Sequence, residues 1–68
     1  METTFLERLI SEEEELGKKI TGLIGALSSD GFAEKVGMYQ FELLSVQHSC
    51  MIAYRRILNM RINDLKSK

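Results

Sequence analysis

Residues 40–65, QFELLSVQHSCMIAYRRILNMRINDL, decide the fold of this chain. They carry two heptad stripes on adjacent sides of one predicted helix, about 100° apart. A hairpin needs only one stripe for its neighbouring helix, so the other predicts a further contact. The first stripe contains Leu44, Gln47, Met51, Tyr54, Leu58, Arg61 and Leu65. The second stripe contains Leu43, Val46, Cys50, Ala53, Ile57, Met60 and Asp64.

The first half of the chain predicts another amphipathic helix. Thr4 and Glu7 have the spacing of a capping box, which marks a helix N-terminus. A 3-4 alternation follows, typical of coiled-coil-like packing. Its members are Leu6, Leu9, Glu13, Leu16, Ile20, Leu23 and Leu27. A carboxylate on a packed seam needs a partner, so we predict that Arg55, Tyr54 or Arg61 pairs with Glu13. A catalytic role for this carboxylate is the alternative.

Residues 28–31, SSDG, predict a turn between the two helices. We therefore predict one all-α domain over residues 1–68, an antiparallel helical hairpin with a short intervening helix. The predicted order is a helix at about 4–27, the turn at 28–31, a short helix at 32–36 and a long helix at about 38–66. Three glycines, at 17, 22 and 25, either let another helix approach closely or weaken the first helix by about 1 kcal/mol each.

The length of the chain favours self-association. Sixty-eight residues are near the limit at which a single core is stable without disulfides, metal or oligomerisation. One cysteine and one histidine exclude an intrachain disulfide and argue against a zinc site within one chain. We predict a homo-oligomer, in its simplest form a dimeric four-helix bundle. Its predicted interface residues are Leu43, Val46, Cys50, Ala53, Ile57 and Met60.

The charge distribution argues against nucleic acid as a partner. The net charge is −1 and the pI about 5.8, whereas nucleic-acid binders present a strongly basic face. Acidic residues concentrate in 1–15 and basic residues in 51–68, which suits the two helix dipoles of an antiparallel pair. No segment has the ~20 apolar residues of a membrane span, and the acidic start does not resemble a signal peptide. We predict a cytoplasmic protein with no membrane partner.

The inventory of reactive groups predicts no enzyme and no cofactor. The chain has no Gly-rich phosphate loop, and His48 and Cys50 diverge because they are two residues apart on a helix. A polar cluster remains, which either pairs with the Glu-rich first helix or binds a small anion. Guanidinium groups bind phosphate bidentately, aromatic planes stack on bases, and a symmetric oligomer doubles every group. The candidate ligand-binding residues are Tyr54, Arg55, Arg56, Arg61 and His48, with Lys18 and Lys19.

The apolar spacing also carries a resemblance to a known family. It is Phe5-x3-Leu9-x6-Leu16-x6-Leu23, then Ser29-x2-Phe32, then Leu43-Leu44-x2-Gln47-x3-Met51-x2-Tyr54-x2-Ile57-Leu58-x2-Arg61-Ile62-x2-Leu65. This pattern resembles short helical-hairpin proteins of tailed bacteriophages and prophages, including crAss-like phages. The chain departs from them by carrying His48, the doubled Arg55-Arg56 and the three glycines.

The resemblance implies a function for the polar cluster. Phages use small helical oligomers as sponges, which sequester nucleotide signals of bacterial immunity such as cyclic oligonucleotides and cyclic ADP-ribose derivatives. The implied function is a non-catalytic sponge that holds such a signal between protomers in the cytoplasm of the infected host. The alternative is a small adaptor or inhibitor that binds a host protein through its apolar stripe.

Overall fold

The computed structural model describes residues 4–68, which form a hairpin of two long helices. Helix α1 spans Phe5–Leu27, the short helix α2 spans Phe32–Val36, and α3 spans Met38–Lys66. No strand occurs among residues 4–68, and α1 packs along α3 in a body with extents of 48 × 21 × 14 Å. The predicted all-helical fold is confirmed. None of the described helices is long and apolar enough to cross a membrane.

Local chemistry sets where the helices begin and end. The capping box is confirmed: the backbone N–H of Glu7 donates to Thr4 Oγ1 at 3.0 Å, and that of Thr4 donates to Glu7 Oε1 at 2.8 Å. The connection between the long helices uses left-handed backbone at Gly31 and Gly37, with φ of 78° and 92°. Side chains rarely adopt this conformation, so glycine is needed at both positions. The two ends of α2 are thereby set by glycines.

The core lies in the half of the hairpin that is farther from the turn. Its four buried apolar side chains are Leu9, Leu16, Leu58 and Ile62. Every member of the predicted α1 stripe is buried or half-buried, so that stripe is confirmed. At the turn, the rings of Phe32 and Phe41 meet at a centroid distance of 6.4 Å and close the tip.

The face of α3 that packs on α1 differs from the first predicted stripe. The buried and half-buried face is Phe41, Leu44, Ser45, His48, Met51, Arg55, Leu58, Ile62 and Leu65. Gln47, Tyr54 and Arg61 are exposed, so their predicted place within the stripe is wrong. The difference is a rotation of α3 by about 50°. It exchanges three polar side chains for a set that includes Ile62, a core residue, and Arg55, which reaches Glu13.

The second stripe of α3 lies exposed on the hairpin. Leu43, Val46, Ile57 and Met60 are each between 44% and 60% exposed, and Cys50 and Ala53 are also exposed. At 100° per residue, the centre of this stripe is roughly 150° from the face that packs on α1. The separation predicted from the sequence was about 100°. The two faces of α3 are therefore nearly opposite rather than adjacent.

Candidate functional site

An ion pair between the long helices forms the centre of the candidate site. Arg55 Nε lies 2.6 Å from Glu13 Oε2, and the side chain of Glu13 is only 14% exposed. Asn59 Nδ2 donates to the same carboxylate oxygen at 3.4 Å. The predicted partner for the seam carboxylate is thus present, and it is Arg55. A half-buried carboxylate needs such donors because its desolvation is otherwise uncompensated.

Gly17 makes room for the guanidinium of Arg55. A Cβ atom built on Gly17 would lie 2.7 Å from both Cζ and Nη2 of Arg55, closer than real Cβ contacts. Gly17 is also buried, and it follows Glu13 by one helical turn. Gly22 and Gly25 have nothing within 4 Å of such a Cβ. The sequence predicted that a missing side chain would let another helix approach closely, whereas at Gly17 the space is taken by the end of the Arg55 side chain.

One flank of the hairpin holds two of the predicted ligand-binding residues in contacts with α1. The hydroxyl of Tyr54 donates to the carboxylate of Glu12. The guanidinium carbon of Arg61 lies 5.5 Å from the centroid of the Phe5 ring, which is a cation–π geometry. The cluster was also interpreted as pairing with the Glu-rich helix, which holds for Tyr54 and Arg55. Arg61 instead stacks on an aromatic ring.

The opposite flank carries a groove of about 410 Å³ between α1 and α3. It combines the two adjacent arginines with carboxamide and apolar side chains of α3. Both Arg55 and Arg56 line it, and Arg56 forms no ion pair with any residue in 4–68. The remaining lining residues are Glu13, Ile20, Ile52, Asn59, Met60 and Asn63. This groove offers a free guanidinium, hydrogen-bonding amides and apolar surface in one place.

A second groove, of about 790 Å³, runs over the side of α1 where Gly17 and Gly22 leave a shallow surface. Arg55 reaches it from α3, and Lys18 and Thr21 line it from α1. Glu14 and Glu15 line it too, and Lys18 Nζ lies 3.8 Å from Glu15 Oε1. Two acids therefore offset the two bases. This groove is less suited to an anion than the one that contains Arg56.

His48 and Lys19 lie apart from Arg55. His48 belongs to the face that packs on α1, and its Nε2 is buried without a hydrogen-bond partner among the described residues. It is two turns from Arg55, about 10 Å along the helix axis. Lys19 is exposed and lines neither groove. Of the other predicted ligand-binding residues, only Lys18 and Arg56 line a groove together with Arg55 in a single chain.

Sequence reasoning missed Ile52, Asn59 and Asn63 as lining residues, because none of them belongs to either predicted stripe of α3. The rotation of that helix brings them to the edge of the packed face. One signal was available in the sequence: Asn59 is four residues after Arg55, the spacing at which helical side chains are neighbours. The described residues contain no cluster of three or more His, Cys, Asp or Glu side chains placed to hold a metal ion.

Comparison with known proteins identifies a family for this chain. No curated protein and no solved structure matches this chain. The sequence profile of the Sequestin family, by contrast, matches residues 3–64, which is most of the chain. The protein therefore belongs to the Sequestin family.

Proposed function

We propose that this protein is a non-catalytic binding protein, encoded by a phage or prophage, that sequesters a small anionic nucleotide signal of bacterial immunity. The ligand class is a cyclic oligonucleotide or a cyclic ADP-ribose derivative. The ligand is held between protomers in the cytoplasm of the infected host. Because the bound signal cannot reach its receptor, the host's defence response is not triggered.

The family and the fold support the general part of this proposal. The name Sequestin suggests a sequestering protein rather than an enzyme. A small all-helical hairpin suits binding, which requires a complementary surface but no arrangement of reactive groups. The nature of the ligand rests on the side chains in the groove.

The groove that contains Arg56 is the observation on which the proposal depends. Arg56 has its guanidinium free of ion pairs with residues 4–68, so it can bind a phosphate bidentately without first losing a partner. Asn59 and Asn63 supply amide donors and acceptors of the kind that pair with base edges. Ile52 and Met60 supply apolar surface for a base or ribose face.

Arg55 contributes differently because Glu13 already holds it. Its guanidinium is positioned at the floor of the groove, and its charge is largely offset by the carboxylate 2.6 Å away. A ligand phosphate would therefore compete with Glu13 or share the remaining N–H groups of Arg55. We assign Arg56 the larger share of phosphate binding. Tyr54, Arg61, His48, Lys18 and Lys19 remain candidate contacts in the assembled oligomer.

A nucleotide binding screen tests the proposal. Cyclic dinucleotides and cyclic ADP-ribose isomers are added to the purified protein, and thermal shift identifies binders for calorimetry. We expect at least one to raise the melting temperature, and Arg56→Ala to weaken it about tenfold or more, the equivalent of losing about 1.4 kcal/mol. Arg8→Ala is the matched control, because Arg8 is exposed and lines neither groove. A folded sample that none of these nucleotides stabilises would contradict the proposal.

The exposed stripe of α3 favours one alternative, a small adaptor or inhibitor of a host protein. Its apolar side chains are exposed, Leu43 by 44% and Val46 by 60%, so residues 4–68 leave this stripe uncovered. A host protein bound there would leave the isolated chain monomeric and produce a stoichiometric complex in a pull-down. A closed homo-oligomer in light scattering would instead show that copies of the chain occupy the stripe.

A further inference from the structure

The exposed stripe of α3 extends further than its apolar members. Continuing the heptad by one position at the N-terminal end adds Tyr39, which is 72% exposed. At the other end the stripe finishes at Asp64, also exposed. The whole stripe is Tyr39, Leu43, Val46, Cys50, Ala53, Ile57, Met60 and Asp64. The stripe covers almost the full length of α3. None of its members between Tyr39 and Asp64 is charged.

This stripe is self-complementary about a point between Met51 and Ile52. Each member has a counterpart at the same distance on the other side of that point, with small residues at the centre and large ones outside. In an antiparallel pair of identical helices, such counterparts face each other across the seam, because each a position meets a d position of the partner. The counterparts, from the centre outwards, are Cys50 with Ala53, Val46 with Ile57, Leu43 with Met60, and Tyr39 with Asp64.

The charges on α3 distinguish the antiparallel pairing from the parallel one. A parallel seam would place Asp64 against Asp64 of the partner subunit and, at the flanking positions, Arg56 against Arg61 of the partner subunit. Both contacts bring like charges together, and the two-fold symmetry of the dimer produces the arginine contact twice. The parallel pairing is therefore disfavoured. An antiparallel seam places Asp64 against Tyr39 of the partner subunit, whose hydroxyl can donate to the carboxylate. It places Arg56 beside Ser49 of the partner subunit.

We infer that the partner for this stripe is a second copy of the chain, docked antiparallel with the two-fold axis at Met51–Ile52. The inference deepens the self-association contained in the proposed function and needs no ligand. Because the stripe is roughly 150° from the face that packs on α1, the four helices form a layer with the two α3 helices in the middle. This arrangement replaces the square four-helix bundle expected from the sequence.

The docked copy would also complete the candidate site. A groove of about 530 Å³ on the outer side of α3 is lined by Ser49, Ile52, Ala53, Arg56, Ile57 and Met60. It shares Ile52, Arg56 and Met60 with the groove between the long helices. Arg56 therefore stands at the boundary between the two grooves. Because Ala53, Ile57 and Met60 belong to the stripe, the α3 helix of the partner subunit would fill this outer groove and lie beside Arg56. A ligand held by Arg56 would therefore contact both chains.

Cysteine crosslinking tests the orientation. Two variants, Val46→Cys and Ile57→Cys, are made in a Cys50→Ser background and oxidised separately and as an equimolar mixture. In the antiparallel pair, residue 46 faces residue 57 of the partner subunit. Equivalent residues are offset by 11 positions, about 16 Å along the axis, beyond the reach of a disulfide. We expect a disulfide dimer only from the mixture. Efficient crosslinking of each variant alone would overturn the inference.

A mass measurement tests the interface independently of orientation. We expect light scattering of the unmodified chain to give twice the 7.8 kDa of one copy. Ile57→Glu should give a monomer that remains helical by circular dichroism. The matched control is Ile24→Glu, because Ile24 is 44% exposed against 51% for Ile57 but lies on α1, away from the stripe. A monomeric unmodified chain, or equal loss of mass in both variants, would overturn the inference. A dimer without nucleotide binding would contradict only the proposed function.

Discussion

The two faces of α3 have similar apolar content but different roles in the hairpin. The face that packs on α1 contains Leu58, which is completely buried, and it accommodates Arg55 because α1 provides Glu13 and the space at Gly17. The opposite face is free of charge from Leu43 to Met60 yet remains exposed. Hydrophobicity alone therefore does not decide which face is buried. The complementary groups on the neighbouring helix decide it.

The largest expected effect comes from truncating the buried face. Leu58→Ala should lower the free energy of unfolding by about 2–5 kcal/mol, because Leu58 is fully buried in the core and leaves a cavity. Leu43→Ala, on the exposed face, should cost much less at concentrations where the chain is monomeric. Urea denaturation of both variants measures the difference. Equal losses would show that the two faces are not distinguished by burial as described.

A smaller effect is expected from filling the space under the guanidinium. Gly17→Ala should leave the hairpin about 1–2 kcal/mol less stable than Gly22→Ala does, because its methyl group must displace the flexible end of Arg55 and so weakens the pair with Glu13. Gly22→Ala is the matched control. Its site is open, so the higher helix propensity of alanine should stabilise by up to about 1 kcal/mol. Thermal denaturation should therefore give the higher melting temperature for Gly22→Ala, and equal melting temperatures would contradict the role assigned to the space at Gly17.

Removing the guanidinium of Arg55 should lower the free energy of unfolding by a comparable amount, because Glu13 then loses its main hydrogen-bond donor. Arg55→Met leaves the half-buried carboxylate of Glu13 with only the weak donor Asn59, at a cost of about 1–3 kcal/mol. Adding Glu13→Leu should recover much of that loss, since no charge is then buried. A double-mutant cycle measures this coupling. Additive losses would show that the ion pair does not connect the helices energetically.

The smallest effect is expected on the exposed flank. Tyr54→Phe removes the hydrogen bond to Glu12 but leaves the ring in place. Because Tyr54 is 45% exposed, water replaces the lost partner, and we expect a loss of less than about 0.5 kcal/mol. Thermal denaturation is sufficient to test this. A loss larger than that of Arg55→Met would mean that this flank, and not the Glu13 pair, holds the helices together.

The ion pair at the centre of the candidate site was predictable from the sequence, but several residues that line the groove were not. Glu13 was recognised as a seam carboxylate, and Arg55 was among its predicted partners. Asn59 and Asn63 were not recognised because they belong to neither predicted stripe. The rotation of α3 by about 50° brings their row of side chains to the edge of the packed face. His48 illustrates the same error, since the packed face includes it in place of Gln47.

The sequence by itself determined the hairpin. Helix α1 has a single stripe in one register, a capping box at its start and glycines after its end, so its packed face has no competitor. Only the tertiary structure decided how α3 is rotated. The predicted and the observed packing faces share Leu44, Met51, Leu58 and Leu65, and the observed face adds Ile62 to the buried apolar side chains. The short distance from Arg55 to Glu13 across Gly17 also favours the observed face, and it exists only when both helices are in place.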